Sequence, residues 1–146
     1  MSAKQEVTIN AARIPSIRDI VIQARPKQML KNGLVLVPLF FTVNIWYNSS
    51  DLSGMSSIIA RALAALGIFI LISAAVYFIN GSADAKQDRI HPRKRFRPIA
   101  AKRISVPWAV GIATLMIIGG LSSAYLISVP LLITTASYLS INIAYS

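Results

Sequence analysis

This chain of 146 residues has a composition typical of membrane-embedded proteins. Apolar residues make up 55% of it, charged residues only 14%, and the mean hydropathy is +0.60. The net charge of +10 would suggest a nucleic-acid partner in a soluble protein, but here the basic residues flank apolar runs. We therefore predict an integral membrane protein with no nucleic-acid partner. The absence of cysteine excludes disulfides, thiolate metal sites and a cysteine nucleophile.

The first predicted unit, residues 1–28, is an N-terminal arm followed by a surface helix. Met1 to Asp19 is predicted to be a mobile arm. The stretch IRDIVIQARPKQM, from Ile17 to Met29, is amphipathic and is typical of a helix that lies along a membrane surface. A cleaved signal peptide is not expected, because the polar segment ahead of the first apolar run is too long.

The second predicted unit, residues 29–146, is a transmembrane bundle. A helix needs roughly 20 apolar residues to cross the hydrocarbon core. Four runs approach that length, from about Met29 to Tyr47, Ile58 to Ile79, Val106 to Ile127 and Val129 to Tyr145. Pro38 predicts a kink in the first run. We predict an all-α, polytopic bundle of about four spans.

The distribution of Lys and Arg predicts the orientation of these spans. The N-terminal segment and the loop over residues 80–105 are basic, whereas YNSSDLSGMSS between the first two spans contains neither residue. Basic loops face the cytoplasm. We therefore expect a multi-pass protein of the cell membrane, with its N-terminus and its charged loop in the cytoplasm.

The charged loop, NGSADAKQDRIHPRKRFRPIAA, begins with a regular pattern of oxygen ligands. Asn80, Asp84 and Asp88 recur at every fourth residue, so they stack along one face if the second span continues past the membrane edge. Two carboxylates one turn apart repel each other unless a cation lies between them. Mg²⁺ is usually held by one or two carboxylates together with substrate phosphates. The pattern therefore predicts a metal-bridged diphosphate.

Basic residues follow these carboxylates in the sequence HPRKRFRP. Pro92 should end the helix, and Pro98 should prevent another from starting directly. The residues left on a loop or short helix are His91, Arg93, Lys94, Arg95 and Arg97. Arg binds phosphate through a planar fork and Lys as a point charge. An acidic face opposed by a basic arm is the arrangement that holds Mg–diphosphate.

Each signal also has a plainer interpretation. A basic cytoplasmic loop can serve only to set topology and to contact anionic lipid. Aspartates at helical spacing can be partners of nearby Lys and Arg. His91 fits a solvated loop residue, and Lys31 fits an anchor that snorkels to the membrane edge. On these residues alone, a non-catalytic membrane scaffold that binds anionic lipid or a partner protein is an alternative.

The combined pattern resembles one family. NxxxDxxxDRxHPxKRFRPIA is similar to the first aspartate-rich motif of the UbiA family of intramembrane prenyltransferases. The extension HPRKRFRPIAAKRIS looks most like the decaprenyl-phosphate phosphoribosyltransferase branch. ARPKQMLKNGLVLVPLF, where the first span begins, resembles the family's RPxQWxKN sequence. The resemblance covers nearly the whole chain, but only the N-terminal half of a complete enzyme of the family.

The resemblance implies an all-helical membrane transferase that uses Mg²⁺. In this branch, phosphoribosyl diphosphate donates phosphoribose to a polyprenyl (decaprenyl) phosphate and diphosphate leaves, a step in cell-wall precursor biosynthesis. Other members take a prenyl group from a prenyl diphosphate.

The resemblance also implies roles for residues of this chain. Carried over by position, Asp84 and Asp88 are catalytic and, with Asn80, hold the metal and the diphosphate. The expected further contacts to the diphosphate are Lys94, Arg95 and Arg97 in the basic extension, and Lys31 with Asn32 near the start of the first span.

Two departures from the family pattern stand out. Gly81 occupies the position where the family has a third aspartate, which should weaken metal binding and loosen the helix end, since Gly costs roughly 1 kcal/mol in a helix relative to Ala. The last residues, LSINIAYS, resemble the family's fourth span, so the second aspartate motif is expected beyond Ser146. The chain is then expected to be a truncated form that is inactive alone, or to work with a missing C-terminal half or by self-association.

Overall fold

A computed structural model of the chain describes residues 14–47 and 50–145, and every regular element in these residues is helical. Most of the predicted N-terminal arm lies outside the described residues. In chain order the elements are α1 (Ile17–Ala24), α2 (Pro26–Met29), a 3₁₀ segment (Leu30–Leu36), α3 (Val37–Phe41), α4 (Val43–Trp46), α5 (Leu52–Ala83), α6 (Ala85–Ile90), a 3₁₀ turn (Lys94–Phe96), α7 (Val106–Ile127) and α8 (Val129–Ala144). The all-α fold class predicted from the sequence is confirmed.

The long helix α5 is the element against which the others pack. Its 32 residues extend about 48 Å, which exceeds the roughly 30 Å hydrocarbon core of a bilayer. It begins at Asp51, whose carboxylate accepts a hydrogen bond from the Gly54 N–H at 2.9 Å and so caps the first turn. Because α5 exceeds the thickness of the core, at least one of its ends extends beyond the hydrocarbon.

The second, third and fourth predicted spans correspond to single helices. Both α5 and α7 are long and apolar enough to cross a membrane, and α8 is a shorter apolar helix of 16 residues. The extended backbone of Ser128 separates α7 from α8, and the Ser128 hydroxyl accepts a hydrogen bond from the Leu131 N–H at 3.2 Å. The α5, α7 and α8 helices bury one apolar cluster against each other, formed by Ile68, Ile72, Val76, Ala124 and Leu139.

The first predicted span differs from the expectation of one kinked helix. The chain from Pro26 to Trp46 forms α2, the 3₁₀ segment, α3 and α4 in succession. Pro38 lies in the first turn of α3, where it has no N–H to donate to the preceding turn. At the end of α3, Thr42 donates to the Pro38 carbonyl from both its N–H, at 2.9 Å, and its hydroxyl, at 2.7 Å. The proline therefore marks a break between short helical segments.

The charged loop is folded against the end of α5. Ile99 and Ile104 are each 1% exposed, and both belong to a second apolar cluster that includes Phe78 of α5 and Ala109 of α7. The Pro98 carbonyl accepts hydrogen bonds from the N–H groups of Arg103 at 2.8 Å and Ile104 at 3.1 Å. These contacts fix the path of the basic residues relative to the carboxylates.

Candidate functional site

The predicted metal ligands lie where α5 passes into α6. Asp84 is the residue between the two helices, yet the helical hydrogen-bond pattern continues through it. The Asp84 N–H donates to the Asn80 carbonyl at 2.9 Å, and the Asp88 N–H donates to the Asp84 carbonyl at 2.8 Å. The three residues therefore occupy successive helical turns, which is the arrangement that their spacing predicts.

The two carboxylates have different surroundings. Asp84 is exposed, whereas Asp88 is only 2% exposed. Arg97 Nη1 donates to Asp88 Oδ2 at 2.7 Å, and Lys94 Nζ lies 3.9 Å from Asp88 Oδ1. A charge-assisted bond of this length is strong, and it holds the basic loop against α6. Asp88 is thus paired with two basic side chains of the loop, which is the plainer interpretation that the sequence left open for an aspartate in this pattern.

The carboxylate oxygens of this site suit Mg²⁺ only if a bound substrate also supplies oxygen ligands to the ion. Among residues 14–47 and 50–145, no group of three or more His, Cys, Asp or Glu side chains could hold a metal ion. Mg²⁺ commonly takes only one or two carboxylates and completes its shell with water and phosphate oxygens. Asp84 is accessible, and Asp88 Oδ1 has only the longer contact to Lys94. The Asp84 oxygens therefore fit Mg²⁺ provided that a phosphorylated ligand supplies further ligands, whereas the buried Asp88 carboxylate is already paired with Arg97 and Lys94.

Arg25 joins the charged cluster, although the sequence analysis did not identify it as a site residue. Its guanidinium lies over the ring of Tyr77, with Cζ 5.2 Å from the ring centroid. Burial, and after it the positive charge of Arg97, lowers the pKa of Arg25, while Asp88 and Asp84 act in the opposite direction. The available signal was its position as the arginine of the RPxQWxKN-like sequence.

Gly81 allows the N-terminal segment to pack against α5. Gln23 of α1 is 2% exposed, and its Nε2 donates to the Tyr77 carbonyl at 2.9 Å. A Cβ on Gly81 would overlap this amide and would lie 3.1 Å from Ile99 Cδ1. Gly81 was expected to loosen the end of the helix. In the structure α5 continues past it to Ala83, and the Gln23 side chain packs over the glycine.

The structure separates Asn32 from the aspartates. Asn32 Nδ2 donates to Ser73 Oγ at 3.0 Å, and Ser73 Oγ lies 2.8 Å from the Tyr138 hydroxyl. Ser73 precedes Asn80 by about 10 Å along α5, so this amide binds within the bundle and not beside Asp84. Lys31 is exposed in the same 3₁₀ segment.

The remaining basic residues form an exposed rim around the buried ion pair. Lys94 and Arg95 are exposed, and the Arg95 guanidinium lies 4.9 Å from the centre of the Phe96 ring. His91 Nδ1 accepts hydrogen bonds from the N–H groups of Arg93 at 3.2 Å and Lys94 at 3.3 Å, and so orders the turn. Of the predicted diphosphate contacts, Arg97 is bonded to Asp88, Lys94 forms the longer contact to the same carboxylate while staying exposed, and Arg95 is exposed.

Fold and site together define a helical integral membrane protein with a charged face at the end of its longest helix. A sequence profile of the UbiA prenyltransferase family matches residues 35–146, so the chain belongs to that family.

Relatives share sequence over most of the chain. It is 32% identical over 131 residues to the decaprenyl-phosphate phosphoribosyltransferase of Mycolicibacterium smegmatis, covering 88% of this chain and 39% of the relative. It is 34% identical to the protein of the same name from Corynebacterium glutamicum, covering 89% of this chain and 38% of the relative. A nodulation protein of Azorhizobium caulinodans is 31% identical, covering 92% of this chain and 41% of the relative. The chain thus spans well under half the length of each of these relatives.

Proposed function

We propose that this chain provides an aspartate face of a membrane transferase that moves phosphoribose from phosphoribosyl diphosphate to a polyprenyl phosphate. One observation carries the proposal. The exposed Asp84 lies one helical turn from the buried Asp88–Arg97 pair, within the sequence that resembles the family's first aspartate motif. The names of the phosphoribosyltransferase relatives favour phosphoribose over a prenyl group as the group transferred.

The chain's residues bind and orient the departing diphosphate in this mechanism. Asp84, assisted by Asp88 and Asn80, would hold Mg²⁺, which when bound supplies electrostatic stabilisation of the leaving group. Lys94 and Arg95 reach phosphate oxygens from the exposed rim and stabilise their developing charge. An oxygen of the acceptor phosphate bonds to the anomeric carbon as the bond from that carbon to diphosphate breaks.

Arg97 has a positioning role in this scheme. By donating to Asp88 at 2.7 Å, it fixes the loop that carries Lys94 and Arg95 against the helix that carries Asp84. Fixed partners contribute to catalysis because they need no reorganisation when charge develops. Lys31 stays a predicted phosphate contact, and Asn32 is better explained as a helix-packing residue. We place the site on the cytoplasmic face because the basic segments should lie there.

Binding of inorganic diphosphate to the detergent-purified chain tests the proposal. We expect binding that requires Mg²⁺ and that Asp84→Asn reduces at least tenfold, because the accessible carboxylate oxygens are then lost. Asp51→Asn is the matched control, since it removes a carboxylate at the other end of α5 while Asn still caps the helix. Its dissociation constant should stay within twofold of that of the unaltered chain.

The scaffold alternative predicts a different outcome. Diphosphate or vesicles containing anionic lipid would then bind without metal, and Asp84→Asn would leave that binding unchanged. Such a result would show that the exposed rim attracts anions by charge alone, and it would refute a metal-assisted transferase site.

A further inference from the structure

Arg25 lies at a turn with an unusual backbone. Its φ of 54° and ψ of 63° are left-handed, and among the described residues only Lys102 shares a positive φ without being glycine. The Arg25 N–H donates to the Ile22 carbonyl at 3.2 Å as α1 ends, and the Arg25 carbonyl accepts from the Gln28 N–H at 2.9 Å as α2 begins. Non-glycine residues in this conformation persist where surrounding contacts fix them, and they concentrate at ligand sites.

Two further contacts hold this turn against the end of α5. Two residues before Arg25, the buried Gln23 amide donates to the Tyr77 carbonyl at 2.9 Å. The Arg25 guanidinium itself lies over the Tyr77 ring at 5.2 Å. Backbone and side chain are therefore both held on the α5 turn that precedes Asn80 and Asp84.

The Arg25 guanidinium forms no ion pair with a carboxylate among the described residues. Within the described residues, the ion pairs join Lys94 and Arg97 to Asp88, and Arg103 to Asp19. The charges of Arg97, Asp88 and Asp84 all influence the pKa of Arg25, yet Arg25 forms none of these pairs. An arginine has five N–H donors, and the face of an aromatic ring satisfies none of them as a carboxylate oxygen does. A partly buried cation with free donors beside a second cation is a site for an anion.

We propose that Arg25 is a phosphate-binding residue of this site, which acts with the basic loop to hold the phosphate groups of a diphosphate-bearing ligand. The inference rests on the proposed function, because it takes the ligand of the Asp84 face to be a diphosphate. It adds to that function a cation from the N-terminal segment, more than fifty residues earlier in the chain than Asp84. The αL turn, the Gln23 amide and the glycine at position 81 together place that cation.

Binding of inorganic diphosphate in the presence of Mg²⁺ tests this proposal with a pair of variants. Arg25→Gln should raise the dissociation constant at least tenfold. Arg18→Gln removes the same charge from the exposed face of α1 and should change the constant less than twofold. Equal effects of the two variants would show that only net charge matters and would overturn the proposal.

The Asp84→Asn variant separates failure of this inference from failure of the proposed function. Should Asp84→Asn lose Mg-dependent binding while Arg25→Gln binds normally, the inference is wrong and the function stands. Should Asp84→Asn bind normally, the function fails.

Chemical protection decides the matter if Arg25→Gln does not fold. The unaltered chain is treated with phenylglyoxal, which modifies guanidinium groups, and the modified residues are identified by mass spectrometry. Diphosphate with Mg²⁺ should slow modification of Arg25 at least fivefold and leave that of Arg18 unchanged. Equal modification rates of Arg25 with and without diphosphate would refute the proposal.

Discussion

Asp88 illustrates how burial sets the role of a carboxylate. An ionised carboxylate that is only 2% exposed is stable only if a partner compensates for its lost hydration. Arg97 provides that partner at 2.7 Å, with Lys94 more distant at 3.9 Å. The ion pair therefore ties the loop to α6, in addition to any part that Asp88 takes in binding a ligand.

Replacing Arg97 should destabilise the protein strongly. Arg97→Met leaves the Asp88 carboxylate buried without its hydrogen-bonded partner, and we expect a loss of about 3 kcal/mol in the free energy of unfolding. The loss can be measured by titrating the purified protein with a denaturing detergent and following tryptophan fluorescence. The double variant Asp88→Asn/Arg97→Met should recover more than half of it, because no charge is then left buried.

A matched variant on the same loop provides the control for that measurement. Arg95→Met removes an exposed guanidinium and should change the free energy of unfolding by no more than about 0.5 kcal/mol. Similar losses for the Arg95 and Arg97 variants, or strictly additive effects in the double variant, would contradict the role assigned to the ion pair.

The sequence patterns predicted the arrangement of the aspartates and the basic loop only in part. Fourfold spacing is enough to place Asn80, Asp84 and Asp88 on successive turns, because helix geometry is local. The pairing of Asp88 with Arg97 depends on the path of the loop between them, where His91 accepts two backbone hydrogen bonds, and on the burial of Ile99 just after it. Such a tertiary contact has no periodic signature in the sequence.

At the scale of elements, the segment from Pro26 to Trp46 shows why hydropathy alone predicted one kinked helix where the structure has several short helical segments. The segment is apolar enough to suggest a single helix, but its polar side chains make one hydrogen bond to α5 and another within the segment itself. Asn32 bonds to Ser73 on α5, 41 residues away, and Trp46 Nε1 donates to the Leu39 carbonyl at 2.8 Å. The α7 and α8 helices start where the sequence predicts, at Val106 and Val129, each with a proline at its second residue.

Removing the Asn32 amide should loosen the 3₁₀ segment from α5. Hydrogen bonds between helices inside a membrane contribute about 0.6 kcal/mol on average and up to about 1.7. Because Asn32 bonds directly to Ser73, which in turn contacts Tyr138, we expect Asn32→Leu to reduce the free energy of unfolding by about 1–2 kcal/mol. Amide hydrogen exchange within residues 30–36 should also become faster.

Asn44→Leu is the comparison for this variant. Asn44 is exposed on α4, so its loss should leave both the free energy of unfolding and the exchange of residues 30–36 unchanged within error. Unchanged exchange in Asn32→Leu would mean that apolar packing alone holds the segment against α5.

At the scale of the whole molecule, α5 links two surfaces of opposite character. The Lys and Arg residues of its loop collect beyond one end, whereas the residues from Tyr47 to Ser57 around its other end include no Lys or Arg. Composition therefore predicted the class of protein and the side on which the charged face should lie. It could not predict that α1 packs onto α5 or that Arg25 lies over the Tyr77 ring, because those placements depend on the buried Gln23 contact.

The absence of cysteine makes the predicted orientation directly measurable. Single cysteines at Ser50→Cys and Lys86→Cys place a thiol at exposed positions near opposite ends of α5. Since basic segments stay in the cytoplasm, a membrane-impermeant maleimide should label position 50 on intact cells and position 86 only after permeabilisation. The cysteine-free parent should show no labelling. Labelling of position 86 on intact cells would place the aspartate face outside the cell and would contradict our assignment of a cytoplasmic site. Labelling of both positions from one side would show that α5 does not cross the membrane.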